Sequence, residues 1–592
     1  TGKFPGISAF HHSAFWRKAR IMAKGRLEQS KGEWQALPEK VFHPPRIEDS
    51  ICDTMNLSAF HYPNEPLRRI SMPSQYFVNG KIFTGKNERD FVSAMKITDG
   101  KIEWIGPSEQ ADAPDPVDLQ GKTVVPGFID AHAHPRLLAD IAGQAAITIP
   151  EVTNIEEAIA ALKKQAEKTP DGGWIEGWGW DETKLLDGRP LNRFDLDRVS
   201  MDRPVHVIRS DFHSSAVNSK ALELAGIDKS TADPFGGEIQ RDENGGPTGI
   251  MIENANRLIE NAKPKKTEEE RIEGIVRTGR RLARFGITSV AEMMGRWNDL
   301  SLFRKAEKRG FKQRLVLYLL WEEVKELGIR RLEERDLTGR IRIGGVKLFM
   351  DGTISGKTAW MKAPYPGTEE KGMRTCTKEE LLEAAEFARR NGIQLAIHAM
   401  GDRAIEEILR TFEPVKPWID DGPSIRIEHA SIMRPEFFRK MDGKKIALVP
   451  QIIFFFAEYE SYRNHLDGER FSLAYPLRTM YEQNGYMALS TDAPATTWAE
   501  PDKIMTSIKA AVTRKAYNGQ DINRAEKISP EQAVLLFTGK AKEVCRLHET
   551  GRLLPGYEAD FIVLDEDIFT TDPDRLDRVK VAATYISGEK VC

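Results

Sequence analysis

Two histidines one residue apart, His132 and His134, close the run VVPGFIDAHAHP (124–135). Side chains on a strand alternate with a period of two, so both imidazoles face the same side. Neighbouring imidazoles at a strand end are half of a metal site; on their own they are as readily two histidines of a polar loop. Four more ligand-type residues sit in strand-like surroundings: Lys347 in GGVKLFMDG (344–352), His398 in IHAMGD (397–402), His429 in IEHAS (427–431) and Asp492 in LSTDAP (489–494). Each has an ordinary reading. A strand-end His makes a structural hydrogen bond, a Lys snorkels to the rim, and an Asp starts a turn. Six such residues at corresponding ends of separate strands are harder to explain that way.

The elements that must position them can be counted. Candidate parallel strands cover 124–131, 287–292, 315–320, 343–350, 395–399, 425–428, 446–449 and 487–490. Most are apolar on both faces, as buried parallel strands are. Helical patterns over 268–285, 378–391 and 404–412 lie between several of them. This alternation predicts an α/β fold, a (β/α)8 TIM-type barrel over about 126–540, with its active site at the C-terminal strand ends. The gap between the first two strands is far too long for one crossover and predicts an insertion over about 140–270. Ser529-Pro530-Glu531-Gln532 reads as a capping box opening a late helix. Short β patterns with Asn79-Gly80 and Asp99-Gly100 turns over 73–125, and a matching turn-then-strand pattern over 541–592, predict one small β-sandwich domain built from both ends.

Residues 1–72 show little periodicity and read as an N-terminal extension. His11-His12 within it is a paired metal-ligand type, or simply a solvated segment. The chain of 592 residues carries a net charge of −3, so neither a nucleic-acid nor a membrane-surface partner is indicated. No apolar run is long enough to span a bilayer. The chain opens on Thr1, as a processed or trimmed start would, and a targeting segment could have been lost with it. Cys52, Cys376, Cys545 and Cys592 form neither a zinc-ribbon spacing nor a disulfide framework, which leaves a reducing, cytoplasmic location as the expectation.

Several longer stretches carry a resemblance: GWGWDE (177–182), SDFHSSAVNSKAL (210–222), GGEIQRDENGGPTGIMIENA (236–255), GITSV (286–290), GGVKLFMDGTISGKTA (344–359), IHAMGDRAI (397–405), STDAP (490–494) and the closing GxLxPGxEADFIVLD pattern (551–565). Over roughly 74–590 the sequence resembles the metal-dependent amidohydrolase superfamily, in its YtcJ-like branch, which includes N-substituted formamide deformylases. The resemblance implies that His132, His134 and Asp492 hold one divalent metal, that His398 and His429 hold a second, and that Lys347 bridges them. An ammonium has no lone pair to offer, and the bridging lysine of the superfamily is carbamylated by CO₂. The alternative is an unmodified Lys347 and one metal on His132, His134, His398 and Asp492. Zinc suits the imidazole and oxygen ligands, with manganese, iron or nickel as alternatives.

The implied chemistry is metal-assisted hydrolysis. The metal acidifies a water to a pKa around 7 and polarises the substrate carbonyl, while Asp492 takes the water's proton and delivers it to the leaving nitrogen. His213 reaches the substrate oxygen, or makes a structural hydrogen bond. Asp130 orients ligands or serves packing. Trp178, Trp180, Asp181 and Glu182 wall the pocket or belong to the core. Arg403 and Glu428 adjoin ligands, and Phe454-Phe455-Phe456 falls where a loop would line the pocket mouth. The sequence departs from the branch at Val449-Pro450-Gln451, and at Lys357 where Arg is usual, which puts substrate contacts in doubt. The implied function is hydrolysis of an amide or formamide C–N bond in a small-molecule substrate, with a homodimer as a family-level expectation. Deamination or lactone and ester hydrolysis on the same metals is the alternative, as is a non-catalytic regulatory descendant.

Overall fold

Seven parallel strands form the centre of the protein, seen in a computed structural model. It describes residues 74–592 except 113, 211, 213, 235 and 236. The expected 1–72 extension and His213 therefore lie outside the described residues. The strands are β1 (Phe128–Ala133), β2 (Ile287–Gly295), β3 (Arg314–Leu320), β4 (Ile341–Phe349), β5 (Gln394–Ala399), β6 (Ile425–His429) and β7 (Ile446–Val449). Each pairs in parallel with the next. Their residues are buried on both faces almost throughout, which is what the continuous apolar runs require.

Helices pack outside this sheet. Thr267 and Glu270 cap Glu268–Arg284 reciprocally, and Thr377 and Glu380 do the same for Lys378–Arg390. Ile272, Ile275, Val276 and Leu282 give the first of these its buried face. The Ser529 capping box opens Pro530–Leu536 as expected.

The expected eighth strand takes a different form. Only Met487 bridges Leu448 of β7, in parallel. Beyond it the chain leaves the ladder: Leu489 N–H donates to Leu536 at 3.0 Å, Asp492 N–H to the His132 carbonyl at 2.8 Å, and His134 N–H to Ala493 at 2.9 Å. Residues 486–493 thus run from β7 to β1 as an irregular segment, and the sheet is a nearly closed, TIM-like barrel. Asp492 has a left-handed backbone (φ 57°), which ordinary strand pairing does not accommodate.

Segments from the two ends of the described residues share a sheet. Thr123–Pro126 pairs antiparallel with Phe561–Leu564 and parallel with Lys81–Phe83, then continues through Gly127 into β1. A four-stranded sheet from residues 75–118 lies beside it, and Phe77, Met95, Ile97, Val124, Phe561 and Val563 belong to one apolar cluster. Between β1 and β2 the chain builds a six-stranded mixed sheet from residues 145–253 with its own core around Leu162, Trp180 and Val207. That sheet is strapped to the barrel where Thr148 Oγ1 donates to Thr497 and Ala499 N–H donates to Ile149. Among the described residues no helix is long and apolar enough to cross a membrane.

Candidate metal centre

His132 and His134 leave β1 on the same side and are both buried. Each is backed by a carboxylate. His132 Nδ1 lies 2.7 Å from Glu428 Oε2, and His134 Nδ1 lies 3.2 Å from Glu292 Oε1. An ionised carboxylate only accepts, so both Nδ1 atoms carry hydrogens and donate. Both Nε2 atoms then face Asp492 Oδ1, at 3.2 Å and 2.7 Å. Two lone-pair atoms at 2.7 Å repel unless a proton or a cation lies between them. One ligand atom from each of His132, His134 and Asp492 falls within 4.8 Å of the others. This is the donor set of a divalent ion, with the outer carboxylates that fix ring orientation at such sites.

A second pair of imidazoles adjoins this set. His398, at the end of β5, and His429, at the end of β6, have ring centroids 4.2 Å apart. His398 Nε2 lies 3.0 Å from the Gly352 carbonyl. A carbonyl only accepts, so Nε2 carries the hydrogen and Nδ1 keeps the lone pair. His429 Nδ1 is buried without a hydrogen-bond partner among the described residues, 3.9 Å from Asp492 Oδ2. His429 (φ 68°), Ala430 (φ 45°) and Asp492 (φ 57°) all occupy the left-handed region, a concentration of strain typical of functional sites. Lys347, on β4, is buried with Nζ 5.1 Å from the Phe349 ring centre.

The electrostatics divide the site. Burial lowers the His134 pKa, but the Asp492 and Glu292 carboxylates outweigh it and carry the ring up to about 9. Burial raises Asp492, yet His132 and His134 hold it well below the usual carboxylate range. Burial and the Lys347 charge push His398 down to about 3. Burial takes Lys347 itself down to about 8, against the pull of Glu428 and Asp492. Unpaired lone pairs on one side and carboxylate charge on the other are the environment a cation neutralises.

Deeper supports fix these groups. Arg426 is fully buried, with Nε 2.8 Å from Glu428 Oε1 and Nη1 2.8 Å from the Tyr318 hydroxyl. Asp130 accepts from Thr491 N–H at 3.1 Å and from its hydroxyl at 2.5 Å, and so holds the segment bearing Asp492 against β1. Asp351 accepts three backbone N–H bonds, from Trp360, Met400 and Gly401, which tie the loop after β4 to the end of β5. A Cβ on Gly401 would stand 2.1 Å from the Trp360 carbonyl oxygen, and backbone cannot move aside cheaply. Gly401→Ala is therefore expected to lift that loop, costing about 1–3 kcal/mol as overpacking does. Urea unfolding measures the cost, and a parent-like midpoint would show that the loop adapts.

The family described as amidohydrolase matches residues 115–592. The chain belongs to the amidohydrolase family. The YtcJ protein of Bacillus subtilis (strain 168) is 31% identical over 531 residues, covering 86% of this chain and 98% of the relative. The N-substituted formamide deformylase of Arthrobacter pascens is 28% identical over 539 residues, covering 86% and 97%. Among solved structures, an uncharacterised metal-dependent hydrolase from Pyrococcus horikoshii is 27% identical with a TM-score of 0.68, covering 85% of this chain and 99% of that one. A second from Pyrococcus furiosus is 29% identical at 0.66, covering 84% and 100%. The protein is a metal-dependent amidohydrolase, a hydrolase acting on carbon–nitrogen bonds.

In this amidohydrolase the structure gathers His132, His134, His398, His429 and Asp492, with buried Lys347 on the adjoining strand. Glu428, flagged only as a neighbour of a ligand, orients His132. Arg403 instead pairs with Glu406 and lies over the Trp360 ring. Trp180 packs in the core of the inserted sheet, and Asp181 and Glu182 pair with Arg209. The expected loop at 454–456 is part of a buried helix, Ile452–Ala457, from which Phe454 stacks on His429 at 5.8 Å. Gln451 donates to Ser490 and to the Val449 carbonyl, linking β7 to the irregular segment. Glu292, Asp351 and Arg426 drew no attention in the sequence. For Glu292 the available signal was a carboxylate at the C-terminal end of a barrel strand.

Proposed function

We propose that this amidohydrolase cleaves an amide or formamide C–N bond of a small molecule by metal-activated water. The convergence of His132, His134 and Asp492, with each ring backed by a carboxylate, carries this reading. His132, His134 and Asp492 would hold one ion and His398 and His429 a second, with Lys347, as its carbamate, supplying an anionic ligand between the two sets. Zinc fits these ligands. When bound, the metal supplies Lewis acidity and brings a water's pKa to around 7. Asp492 accepts the proton of the attacking water and passes it to the departing nitrogen, which leaves as an amine rather than as an amide anion. Lys347 is carbamylated when its neutral amine adds to CO₂ with loss of a proton. The six-stranded sheet after β1 forms the substrate side of the pocket, and the two outer sheets form a β-sandwich.

Elemental analysis with native mass spectrometry tests the metal assignment. Two metal equivalents and a carbamate are expected in the parent, both lost in Lys347→Ala and neither in Lys357→Ala. A single equivalent without a carbamate would favour unmodified Lys347. A panel of N-formyl and N-acyl amines tests the reaction, with chelator-sensitive release of free amine as the expected result. A protein that takes up no divalent ion and hydrolyses none of the panel would overturn the reading.

A further inference from the structure

Glu458 is a buried acid that the hydrolysis described above does not use. It directly follows the helix whose Phe454 stacks on His429, and its N–H donates to the Phe454 carbonyl at 2.7 Å. The i, i+4 spacing puts the two side chains on one face, one turn apart. Three other segments meet it there. Thr496, four residues after Asp492, donates to Glu458 Oε1 at 3.4 Å. The Ser355 hydroxyl, in the exposed loop after β4, and Lys184 and Asp181, from the inserted sheet, act electrostatically on the carboxyl. These segments come from the loop side of the barrel on which the metal residues lie.

The surroundings do not complete this carboxyl. Among the described residues its carboxyl accepts one hydrogen bond, from the neutral Thr496 hydroxyl, whereas a carboxylate has roughly four acceptor sites. Among the described residues no basic side chain is within ion-pair distance. Lys184, the nearest candidate, is bonded to Glu460 and lies over the Tyr517 ring. Asp181 adds a like charge. Burial, reinforced by Asp181, pushes the Glu458 carboxyl up to about 7, against Lys184 and the two hydroxyls. A buried carboxylate short of partners is stabilised by a ligand cation.

We propose that Glu458 is a specificity-determining residue that anchors an alkylammonium group of the substrate. The inference rests on the hydrolysis reading above. It specifies a basic N-acyl amine: the scissile amide at the metal centre, an apolar stem along Phe454, and an ammonium at Glu458.

Binding and catalysis are read separately, on the intact metal-loaded protein. Calorimetry compares pentylammonium with 1-pentanol. The parent is expected to prefer the ammonium by about tenfold or more, the worth of one charge-assisted hydrogen bond. Glu458→Gln should bring the two probes within about twofold of each other, and Glu458→Asp should restore part of the preference. Ligation of the amine by the metal would be indifferent to Glu458. No preference in the parent, or one that survives Glu458→Gln, would overturn the inference. Unfolding midpoints identify a misfolded variant, in which case the Glu458→Asp result decides. In catalysis, kcat/KM for N-formyl-1,5-diaminopentane over N-pentylformamide should fall in Glu458→Gln by the same factor. If the parent hydrolyses neither compound, the hydrolysis reading fails, while the calorimetry still decides the anchor.

Discussion

Asp492→Asn is expected to lower kcat/KM by about 10²–10⁴-fold from the loss of acid–base catalysis alone, with metal content falling as well. The argument rests on where the carboxylate sits. Its Oδ1 meets two Nε2 atoms, at 3.2 Å and 2.7 Å, and its charge holds the buried His134 ring up near 9. An amide keeps the shape and loses the charge, so the imidazole pair faces a neutral group. It also cannot take a proton from water near neutral pH. The carboxylate is held by bonds the substitution leaves intact, because Asp492 N–H donates to the His132 carbonyl and Asp130 holds Thr491. The backbone should therefore stay in place, and circular dichroism of the variant should match the parent. Steady-state kinetics with saturating metal isolate the proton-transfer loss, and elemental analysis measures the binding loss. Activity within tenfold of the parent under saturating metal would remove Asp492 from the proton path.

The candidate metal residues were legible because most lie at or near the end of a nearly continuous apolar run, and parallel barrel strands present their C-terminal ends to one side. Strand periodicity alone put His132 and His134 on a common face. The pairing of carboxylates with rings was not legible. Glu428 meets His132 across 296 residues and Glu292 meets His134 across 158, and no local pattern encodes which acid serves which imidazole. In the sequence the irregular eighth segment reads as a strand because Met487-Ala488-Leu489 is apolar. The chain there is held by two backbone hydrogen bonds to Leu448 of β7, two to the end of β1 and one to Leu536 rather than by a ladder, and an apolar run is equally compatible with both. By its position after β7, Phe454-Phe455-Phe456 reads as a loop. Three successive aromatics, all buried, satisfy a helix enclosed on every side as well. The Trp-rich stretch at 177–182 split between uses: Trp180 fills the core of its own sheet, and its acidic neighbours pair with Arg209. Burial of large aromatics decides such cases, and burial is not visible in composition.

The second large effect is expected at Glu428. This carboxylate joins the candidate metal centre to the barrel interior: Oε2 takes the His132 Nδ1 hydrogen at 2.7 Å, and Oε1 takes Arg426 Nε at 2.8 Å. Both partners are buried, and Arg426 has no other carboxylate among its hydrogen-bond partners in the described residues. Burial raises the Glu428 pKa, but Arg426 and His132 overcome it and hold the carboxyl down at about 2. Glu428→Gln leaves the guanidinium buried without its counter-charge, and breaking a buried pair from one side costs about 3–5 kcal/mol. It also frees the His132 ring to change tautomer, which lowers metal affinity by about 10–100-fold when an outer-shell carboxylate is lost. The two consequences separate in a double variant. Arg426→Met with Glu428→Gln removes the stranded cation, so most of the folding loss should be recovered, since replacing both partners of a buried pair is often near neutral. Metal affinity should stay low, because His132 still lacks a carboxylate. Urea unfolding of the metal-free proteins reads the first effect and chelator competition reads the second. A double variant less stable than the single one would mean that Arg426 holds the barrel through Tyr318 and the Ala131 carbonyl rather than through its charge pair. A single variant with parent-like metal affinity would mean that the His132 ring is oriented by packing alone.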